Sequence, residues 1–346
     1  MTSIKDVAKA AGLSTATVSR IINENPLVTP ETRDRVLKIM REMNYVPNSM
    51  ARGLSNSTSY TVALLVDIED TKSFNNPFFY EVMHGIETIV YSKGFCLIIA
   101  NQQTTSMKKD DMLEWLIRGK RTQGVIIPSA IVNAQNVKEL KKLGFPFVVI
   151  GEPYSTNELI DWVDINNHQG GGQAVEHLLE HGYERIAFVS GSQKMTFNRN
   201  RLAGYKDALR AHGIEVRSEF VREGSGSVED GTRLMEGLLA LAERPDAVIC
   251  GDNVLSFGAM KAIRAAGLSI PDDLGIVGFD NYPIADLFEP ALTTVDIDVF
   301  ELGKQAANIL FRLIEYPESK KQQSLISTDI QARASTKRSA RPNTDA

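Results

Sequence analysis

The amino-acid sequence predicts a small all-α unit at the N-terminus, followed by an α/β body whose two lobes each contain a parallel sheet. Residues 1–47 have helical periodicity without a strand pattern, and from Tyr60 onward short apolar strands alternate with helices. This alternation begins afresh after the stretch WVDIN. Strands alternating with helices form βαβ units on parallel sheets, so the restart indicates a second sheet. A chain of 346 residues is long enough for two or three such units.

Charge is distributed unevenly between these two parts. Residues 1–60 contain eight Lys and Arg against five Asp and Glu, a net charge of +3, whereas the remainder contains 30 against 38, a net charge of −8. We therefore expect only the N-terminal head to meet a polyanion.

Composition argues against a membrane or secreted protein. The apolar runs are far shorter than the ~20 residues that span a bilayer, and we expect no signal peptide because MTSIKDVAKAAG is amphipathic. Cys96 and Cys250 lie in apolar, strand-like runs. We expect two buried thiols in a reducing cytoplasm, without a disulfide and without a membrane partner.

Three short helices are predicted in the head. Ser3 can cap the first and Gly12 ends it, while Ser14 can cap the second. The third begins at Thr29, with Pro30 at the favoured first position. The residues expected to face inward are Ile4, Val7, Ala8, Ala11, Val18, Ile21, Ile22, Val36, Leu37, Met40 and Met43.

Short helices with a glycine turn between the first two are typical of helix-turn-helix units, whose second helix enters the major groove of DNA. The pattern alone also allows a three-helix packing module without a ligand. The segment NYVPNSMARGLSNSTS, residues 44–59, favours the first interpretation. It contains a helix of at most eight residues that includes Gly53, which would be marginal in water and ordered only on a partner. Residues 55–59 then form a linker.

Over its first 54 residues the sequence resembles the DNA-binding head of the lactose-repressor (LacI) family of bacterial transcription regulators. The motifs that carry the resemblance are DVAKAAGLSTATVSR, VTPETRDRVL and NYVPNSMARGL. The resemblance implies operator DNA as a partner, read by the second helix in the major groove and by a hinge helix in the minor groove. The residues implied to contact DNA are Thr15, Ala16, Thr17, Ser19, Arg20, Asn23, Asn48, Ala51, Arg52 and Leu54.

Their implied roles differ. Thr15, Ala16 and Arg20 would read bases, and Thr17 and Ser19 would lie nearer the phosphates. The hinge residues would line the minor groove, with Leu54 as a wedge. An apolar side chain on a marginal helix has no core to join, whereas a wedge can unstack a base step. The alternative for each of these residues is an ordinary place on the surface.

The body strands are predicted at TVALLVDI, FCLIIAN, GVIIP, FVVI and WVDIN, and after the restart at RIAFVSG, AVICGD, GIVGFD and TTVDID. A helix begins at Pro77, and further helices are predicted at 173–181, 201–212, 254–266 and 299–314. Ligands of such sheets bind beyond the carboxyl ends of the strands, here in a cleft between the lobes.

The body resembles the effector domain of the same family, which is related to periplasmic sugar-binding proteins. The motifs are NRNRLAGY, PDDLGIVGFDN and PALTTV. The resemblance implies three passages between the lobes, which we place near 160–162, 291–292 and 325–327. The expected domains are a head at 1–47, a hinge and linker at 48–59, a body at 60–340 and a tail at 341–346. Within the body, lobe one is about 60–161 and 292–325, and lobe two about 162–291 and 326–340.

Five residues are candidates for effector contact. Asp252 and Asp280 end strands, where carboxylates can accept from sugar hydroxyls, and Arg201 can donate to hydroxyl oxygens. Phe78 and Phe79 offer apolar faces to a sugar ring. The alternatives are strand-end capping for the carboxylates and core packing for Phe79. By position, Arg201 and the two carboxylates match the principal effector contacts of the family.

Other signals are weaker. Gly170, Gly171 and Gly172 could suggest a phosphate cradle but lack the order of a dinucleotide-binding strand and turn. His177 and His181 have i, i+4 spacing without a third ligand, so surface histidines are the better interpretation. No nucleophile motif is present, so we expect no enzyme, no metal and no cofactor.

The sequence therefore predicts a cytoplasmic, homodimeric repressor of a carbohydrate operon that responds to a mono- or oligosaccharide. Similarity around FNNPFFYEVMHGIE points to maltose and related oligosaccharide operons of Gram-positive bacteria. The alternatives are a purine or phosphorylated carrier protein as effector, and a sugar-binding protein or enzyme with an N-terminal packing module.

Overall fold

The computed structural model describes residues 2–22, 27–45, 59–67, 77–102, 111–154 and 158–338. The chain divides into two compact units. One comprises Met1–Thr61 with Glu114–Gln123, and the other comprises Val62–Leu113 with Gly124–Ala346.

The head contains the three predicted helices, α1 (Ile4–Ala11), α2 (Thr15–Ile22) and α3 (Pro30–Glu42). The Ser3 hydroxyl accepts from the Asp6 backbone N–H while the Asp6 carboxylate accepts from the Ser3 N–H, a capping box that fixes where α1 begins. Gly12 ends α1 with a left-handed φ of 65°, which a residue with a Cβ rarely adopts.

The inward faces of these helices form one small core. Its fully buried members are Val7, Ala8, Ala11, Val18, Ile21, Val36 and Met40. Ile4, Ile22 and Met43 are partly buried against it. The prediction was wrong for Leu37, which is 38% exposed on α3, because the core of so small a unit covers only a narrow stripe of that helix.

The described strands of the body are β1 (Thr61–Val66), β2 (Cys96–Asn101), β3 (Val125–Pro128), β4 (Phe147–Ile150), β5 (Trp162–Ile165), β6 (Ile186–Ser190), β7 (Val221–Glu223), β8 (Ala247–Cys250), β9 (Gly275–Phe279), β10 (Thr293–Asp296), β11 (Gln323–Ile326) and β12 (Asp329–Gln331). The described helices are α4 (Pro77–Ser92), α5 (Asp111–Arg118), α6 (Ala134–Lys142), α7 (Asn167–Glu180), α8 (Thr196–Ala211), α9 (Val228–Leu239), α10 (Asn253–Ala265), α11 (Ile284–Leu287) and α12 (Val299–Glu315).

These strands form two six-stranded sheets, ordered β11-β5-β4-β3-β1-β2 and β12-β10-β9-β8-β6-β7. Pairings from β1 through β3, β4 and β5 to β11 are parallel, as are those linking β7, β6, β8, β9 and β10. Only β12 runs antiparallel among the pairings described here, beside β10. The predicted fold class, a two-lobed α/β body behind an all-α head, is confirmed.

The three glycines considered as a phosphate cradle lie inside α7, where Gly171 allows close packing against α8. A Cβ on Gly171 would strike the backbone of Arg201, and a Cβ on Gly204 would strike the backbone of His168. Because Gly171 and Gly204 have no Cβ atom, α7 and α8 can approach closely. Helix α7 starts at Asn167, six residues before the predicted residue 173, and so includes the three glycines.

The places where the chain passes between sheets differ from the prediction. β5 belongs to the first sheet, so the first passage follows Ile165 rather than lying at 160–162. β10 belongs to the second sheet, so the second passage follows Asp296 rather than lying at 291–292. The third passage follows Ile326, beside the predicted segment 325–327. In the first two cases a strand pairs with a neighbour that local sequence cannot identify.

The cysteines are not both buried. Cys250 is buried in β8, as predicted, whereas Cys96 is an exposed free thiol at the start of β2. β2 is an edge strand, where one side of an apolar run faces outward. Within the described ranges, no helix has the length and apolarity needed to cross a membrane.

Candidate functional site

The outer face of α2 consists of small polar side chains. Thr15 and Ala16 are exposed in its first turn, and Thr17 and Ser19 are partly exposed. The Ser14 hydroxyl accepts from the Thr17 backbone N–H at 3.1 Å, so the predicted cap of α2 is formed. Short side chains at the start of a helix let its backbone come close to base edges, and the helix N-terminus favours phosphate.

Arg20 extends from the last turn of the same helix. Its side chain is exposed, and it has no ion pair with any residue in the described part of the chain. A guanidinium without an ion pair among the described residues can make bidentate bonds to a guanine edge. The other DNA-contact candidates, Asn23, Asn48, Ala51, Arg52 and Leu54, lie outside the described residues.

A second site lies in the body, where strands of both sheets end in carboxylates. Asp252 and Asp280 follow β8 and β9 of the second sheet, and Asp164 stands near the end of β5 in the first. Arg201, on α8, lies close enough to all three carboxyls to oppose the rise in pKa that their burial causes. The carboxyl ends of strands from two sheets thus meet around one cation.

Arg201 is held rigidly within this cluster. It is 5% exposed, and its Nε donates to Asn167 Oδ1 at 2.9 Å while Nη1 donates to the Gly251 carbonyl. Nη2 lies 3.6 Å from Asp280 Oδ1, an ion pair longer than a hydrogen bond. The guanidinium also lies 4.1 Å from the ring centroid of Phe279. These contacts hold the guanidinium with its Nη2 edge toward Asp280.

Asp280 has a strained backbone and an incompletely bonded carboxylate. Its φ of 71° is in the left-handed region, and its Oδ1 has no hydrogen-bond partner among the described residues. Burial raises its pKa to about 6, against the opposing effect of Arg201. Strain and an unpaired buried oxygen both cost free energy, and they occur together most often at functional sites.

Asp252 has a structural role as well. Its Oδ1 accepts from the Leu255 backbone N–H at 2.8 Å and so caps α10. Capping, the alternative considered from the sequence, therefore accounts for one of the two carboxylate oxygens of Asp252. Burial raises the pKa of this carboxyl, while the Leu255 N–H and Arg201 lower it.

Asp164 is a member of the cluster that sequence reasoning missed. Its two oxygens accept from the backbone N–H groups of Glu152 at 2.9 Å and Ile165 at 2.7 Å. Burial nevertheless raises its pKa to about 6. The stretch WVDI contains a strand-end carboxylate like the two that were identified. It was not chosen because the chain was expected to leave the first lobe before this strand.

Two contacts join the segment after β4 to α8, from the first lobe to the second. Asn200 Nδ2 donates to Glu152 Oε2 at 2.8 Å, and the Arg199 guanidinium lies 4.8 Å from the Tyr154 ring centroid. Neither pair follows from the sequence, because each joins residues that are more than 40 positions apart.

The aromatic candidates Phe78 and Phe79 lie in the first turn of α4. Both are partly buried and pack against the core of the first lobe. Core packing is therefore part of their role, and ligand contact remains a prediction.

The histidine prediction needs correction. His177 is 7% exposed rather than on the surface, and its Nε2 lies 2.9 Å from Thr336 Oγ1. Burial lowers its pKa to about 4. No group of residues able to hold a metal ion occurs within the described ranges.

Comparison with known proteins identifies a family for the head and a domain type for part of the body. Residues 3–48 match the family of bacterial regulatory proteins named for lacI, and residues 175–336 match a periplasmic binding protein-like domain. The HTH-type transcriptional repressor PurR of Mannheimia succiniciproducens is 34% identical over 98% of this chain and 100% of its own. Catabolite control protein A of Priestia megaterium is 35% identical over 89% of this chain and 91% of its own.

Among solved structures, the complex of the transcriptional regulator CelR with cellobiose superposes with a TM-score of 0.72 at 30% identity. The match covers 97% of this chain and 100% of that one. Neither of these curated relatives is named a maltose repressor, so the narrower similarity expected from the sequence is not shown. The first is named a transcriptional repressor, and neither name is that of an enzyme. The chain belongs to the lacI family of bacterial regulatory proteins, as a DNA-binding transcriptional repressor with an effector-binding domain.

Proposed function

We propose that this repressor is released from a carbohydrate operon when a neutral mono- or oligosaccharide binds between its lobes. The observation that carries the proposal is the cluster at the strand ends, where Arg201 stands among Asp164, Asp252 and Asp280. A saccharide offers adjacent hydroxyls that donate to carboxylates and accept from a guanidinium. The cellobiose complex of a similar regulator supports a saccharide as the effector.

Maltose and related oligosaccharides form the narrower version of this proposal. A purine or a phosphorylated carrier protein is the alternative that the family resemblance leaves open. The excess of carboxylates over cations near Arg201 favours an uncharged ligand over a phosphorylated one.

The functional unit is proposed to be a homodimer. A single head of about 50 residues offers too little surface for tight specific binding, so two heads on a palindromic operator are expected. An apolar patch on the second lobe suits a second copy of the chain. It consists of Val254 and Phe257 on α10 with Ile284 and Leu287 on α11, and its largest exposure is 82% at Leu287. The ring of Phe257 on α10 lies 5.8 Å from the ring of Phe288, which follows α11, so the two helices form one surface.

The experiment is footprinting on the DNA upstream of the chain's own gene, with maltose, cellobiose, ribose and guanine added in turn. Release by a saccharide supports the proposal, whereas tighter binding with guanine would establish the purine alternative. Sedimentation at micromolar concentration tests the dimer, and a monomer there would contradict it.

A further inference from the structure

Tyr282 has a hydroxyl group for which the protein provides no partner. It lies two residues after Asp280, in the loop that follows β9, and is 7% exposed. Its hydroxyl oxygen is shielded from solvent and has no hydrogen bond with any described residue. A buried tyrosine hydroxyl normally finds a partner, since leaving it unpaired forfeits its hydration without compensation.

Other buried tyrosines of the same lobe do not share this property. The Tyr205 hydroxyl donates to the Ile186 carbonyl at 2.8 Å, and the Tyr183 hydroxyl donates to the Pro271 carbonyl at 3.2 Å. The fold therefore satisfies buried phenols where they serve packing alone, and Tyr282 is the exception among these three.

The charged groups that act on the Tyr282 hydroxyl come from both lobes. Burial raises its pKa, and the next largest causes are Asp280 and then Glu81, while Arg201 acts in the opposite direction. Glu81 lies on α4 of the first lobe, and the other two residues lie in the second. A tyrosine phenol, with an ordinary pKa of about 10, is protonated at neutral pH and can donate a hydrogen bond.

Asp280 supplies the complementary group. Its Oδ1 is ion-paired with Arg201 but also lacks a hydrogen-bond partner among the described residues, so the same loop presents a donor and an acceptor that are both without a hydrogen bond. An alcohol can accept from the first and donate to the second, whereas a fully ionised phosphate cannot donate. Asp164, Asp252 and Glu81 add negative charge that only Arg201 offsets among the groups named here, which disfavours an anion further.

We propose that Tyr282 is an effector-binding residue, whose hydroxyl donates to a hydroxyl oxygen of an uncharged, non-phosphorylated saccharide while Asp280 accepts the proton of that same group. This assignment rests on the proposed function, since it names the part of the saccharide that the loop reads. It makes Tyr282 a determinant of specificity for neutral over phosphorylated sugars.

The test is Tyr282→Phe in the full chain, titrated calorimetrically with cellobiose, maltose, glucose and glucose 6-phosphate. The affinity for the best neutral saccharide should fall about tenfold. The melting temperature without saccharide should stay the same or rise, because no intramolecular hydrogen bond is removed. For the wild type, glucose 6-phosphate should bind at least tenfold more weakly than glucose.

Tyr205→Phe is the matched control, because it removes a phenol that is bonded within the fold. It should lower the melting temperature and leave saccharide affinity unchanged. Equal saccharide affinities of wild type and Tyr282→Phe would overturn the assignment while leaving the proposed function intact. Failure of all the neutral sugars to bind the wild type would overturn both.

Discussion

The outer face of α2 and the cleft around Arg201 use polar side chains in opposite ways. On α2, Thr15, Ala16 and Arg20 are exposed, and the core of the head does not depend on them. In the cleft, Arg201 is buried and bonded to its neighbours, which leaves Asp280 only partly satisfied. We therefore expect the proposed DNA-binding face to tolerate substitution without cost to the fold, whereas loss of the buried Arg201 should destabilise it. The following substitutions test that contrast.

Arg201→Ala should have the largest effect. It leaves the buried carboxylates of the cleft without a cation, and breaking a buried charge cluster in this way typically costs ~3–5 kcal/mol. We expect a lower midpoint in urea unfolding, no response to saccharide, and operator binding retained at temperatures where the chain is folded. Arg210→Ala on the same helix, whose partner Asp207 is exposed, is the control and should change little. Equal stability of the two variants would contradict the assigned burial.

Leu54→Ala tests the hinge, which lies outside the described residues. Operator affinity should fall by ~2–4 kcal/mol, the value of one buried leucine with lost DNA bending, and affinity for random duplex should hardly change. The measurement is a titration of both DNAs at one salt concentration. Leu37→Ala is the control, since Leu37 is a partly exposed leucine of the same head. Equal losses on both DNAs would exclude a wedge.

Arg20→Ala should weaken operator binding by ~1–3 kcal/mol, the range for one bidentate base contact. Because Arg20 has no ion pair within the described part of the chain, the melting temperature should not move. Fluorescence anisotropy with operators altered at single positions identifies the base it reads. A uniform loss across all sequences would assign Arg20 to a phosphate instead.

The smallest expected effect is on pH dependence. Asp280 and Asp164 have pKa values raised to about 6, so both take up protons as the pH falls from 7 to 5. A protonated carboxyl is a poorer acceptor, and saccharide affinity should fall by a few-fold over that range. The stability contribution has the opposite sign. Because the pKa of Asp280 is higher in the folded chain, its contribution to the free energy of unfolding is fully present below the unfolded pKa of about 3.8. That contribution is lost as the pH rises through 6.

Asp280→Asn separates these effects, because an amide does not titrate. The variant should bind saccharide more weakly and with less dependence on pH. Calorimetry at pH 5, 6 and 7 measures both. If the variant keeps the pH dependence of the wild type, protonation of Asp280 does not affect saccharide binding.

The sequence predicts local features better than long-range ones. Ser3, Gly12 and Pro30 act within a turn of their own helix ends, and each marks a boundary that the structure confirms. The carboxylates after β8 and β9 were found for the same reason, since a strand end is a local pattern.

What escaped prediction depends on distant partners. Three consecutive glycines argue against a helix by propensity, and only close packing against α8 makes α7 favourable there. The sheet to which β5 belongs is set by β4 and by β11, which is about 160 residues further along the chain. Asp164 and the Glu152–Asn200 contact were missed for this reason, and Tyr282 shows its unpaired hydroxyl only once the lobes are placed.

The three passages between the sheets lie side by side. Ile165 pairs with Ile326 at the end of the first sheet, and Asp296 pairs with Asp329 in the second. Three crossings side by side leave the lobes fewer ways to move than a single crossing would, so we expect them to bend about one common line. Ligands of different shape can then differ in how far they turn the lobes, but not in the direction. Such a hinge allows the chemistry of the cleft to diverge in evolution while the motion delivered to the rest of the molecule stays the same.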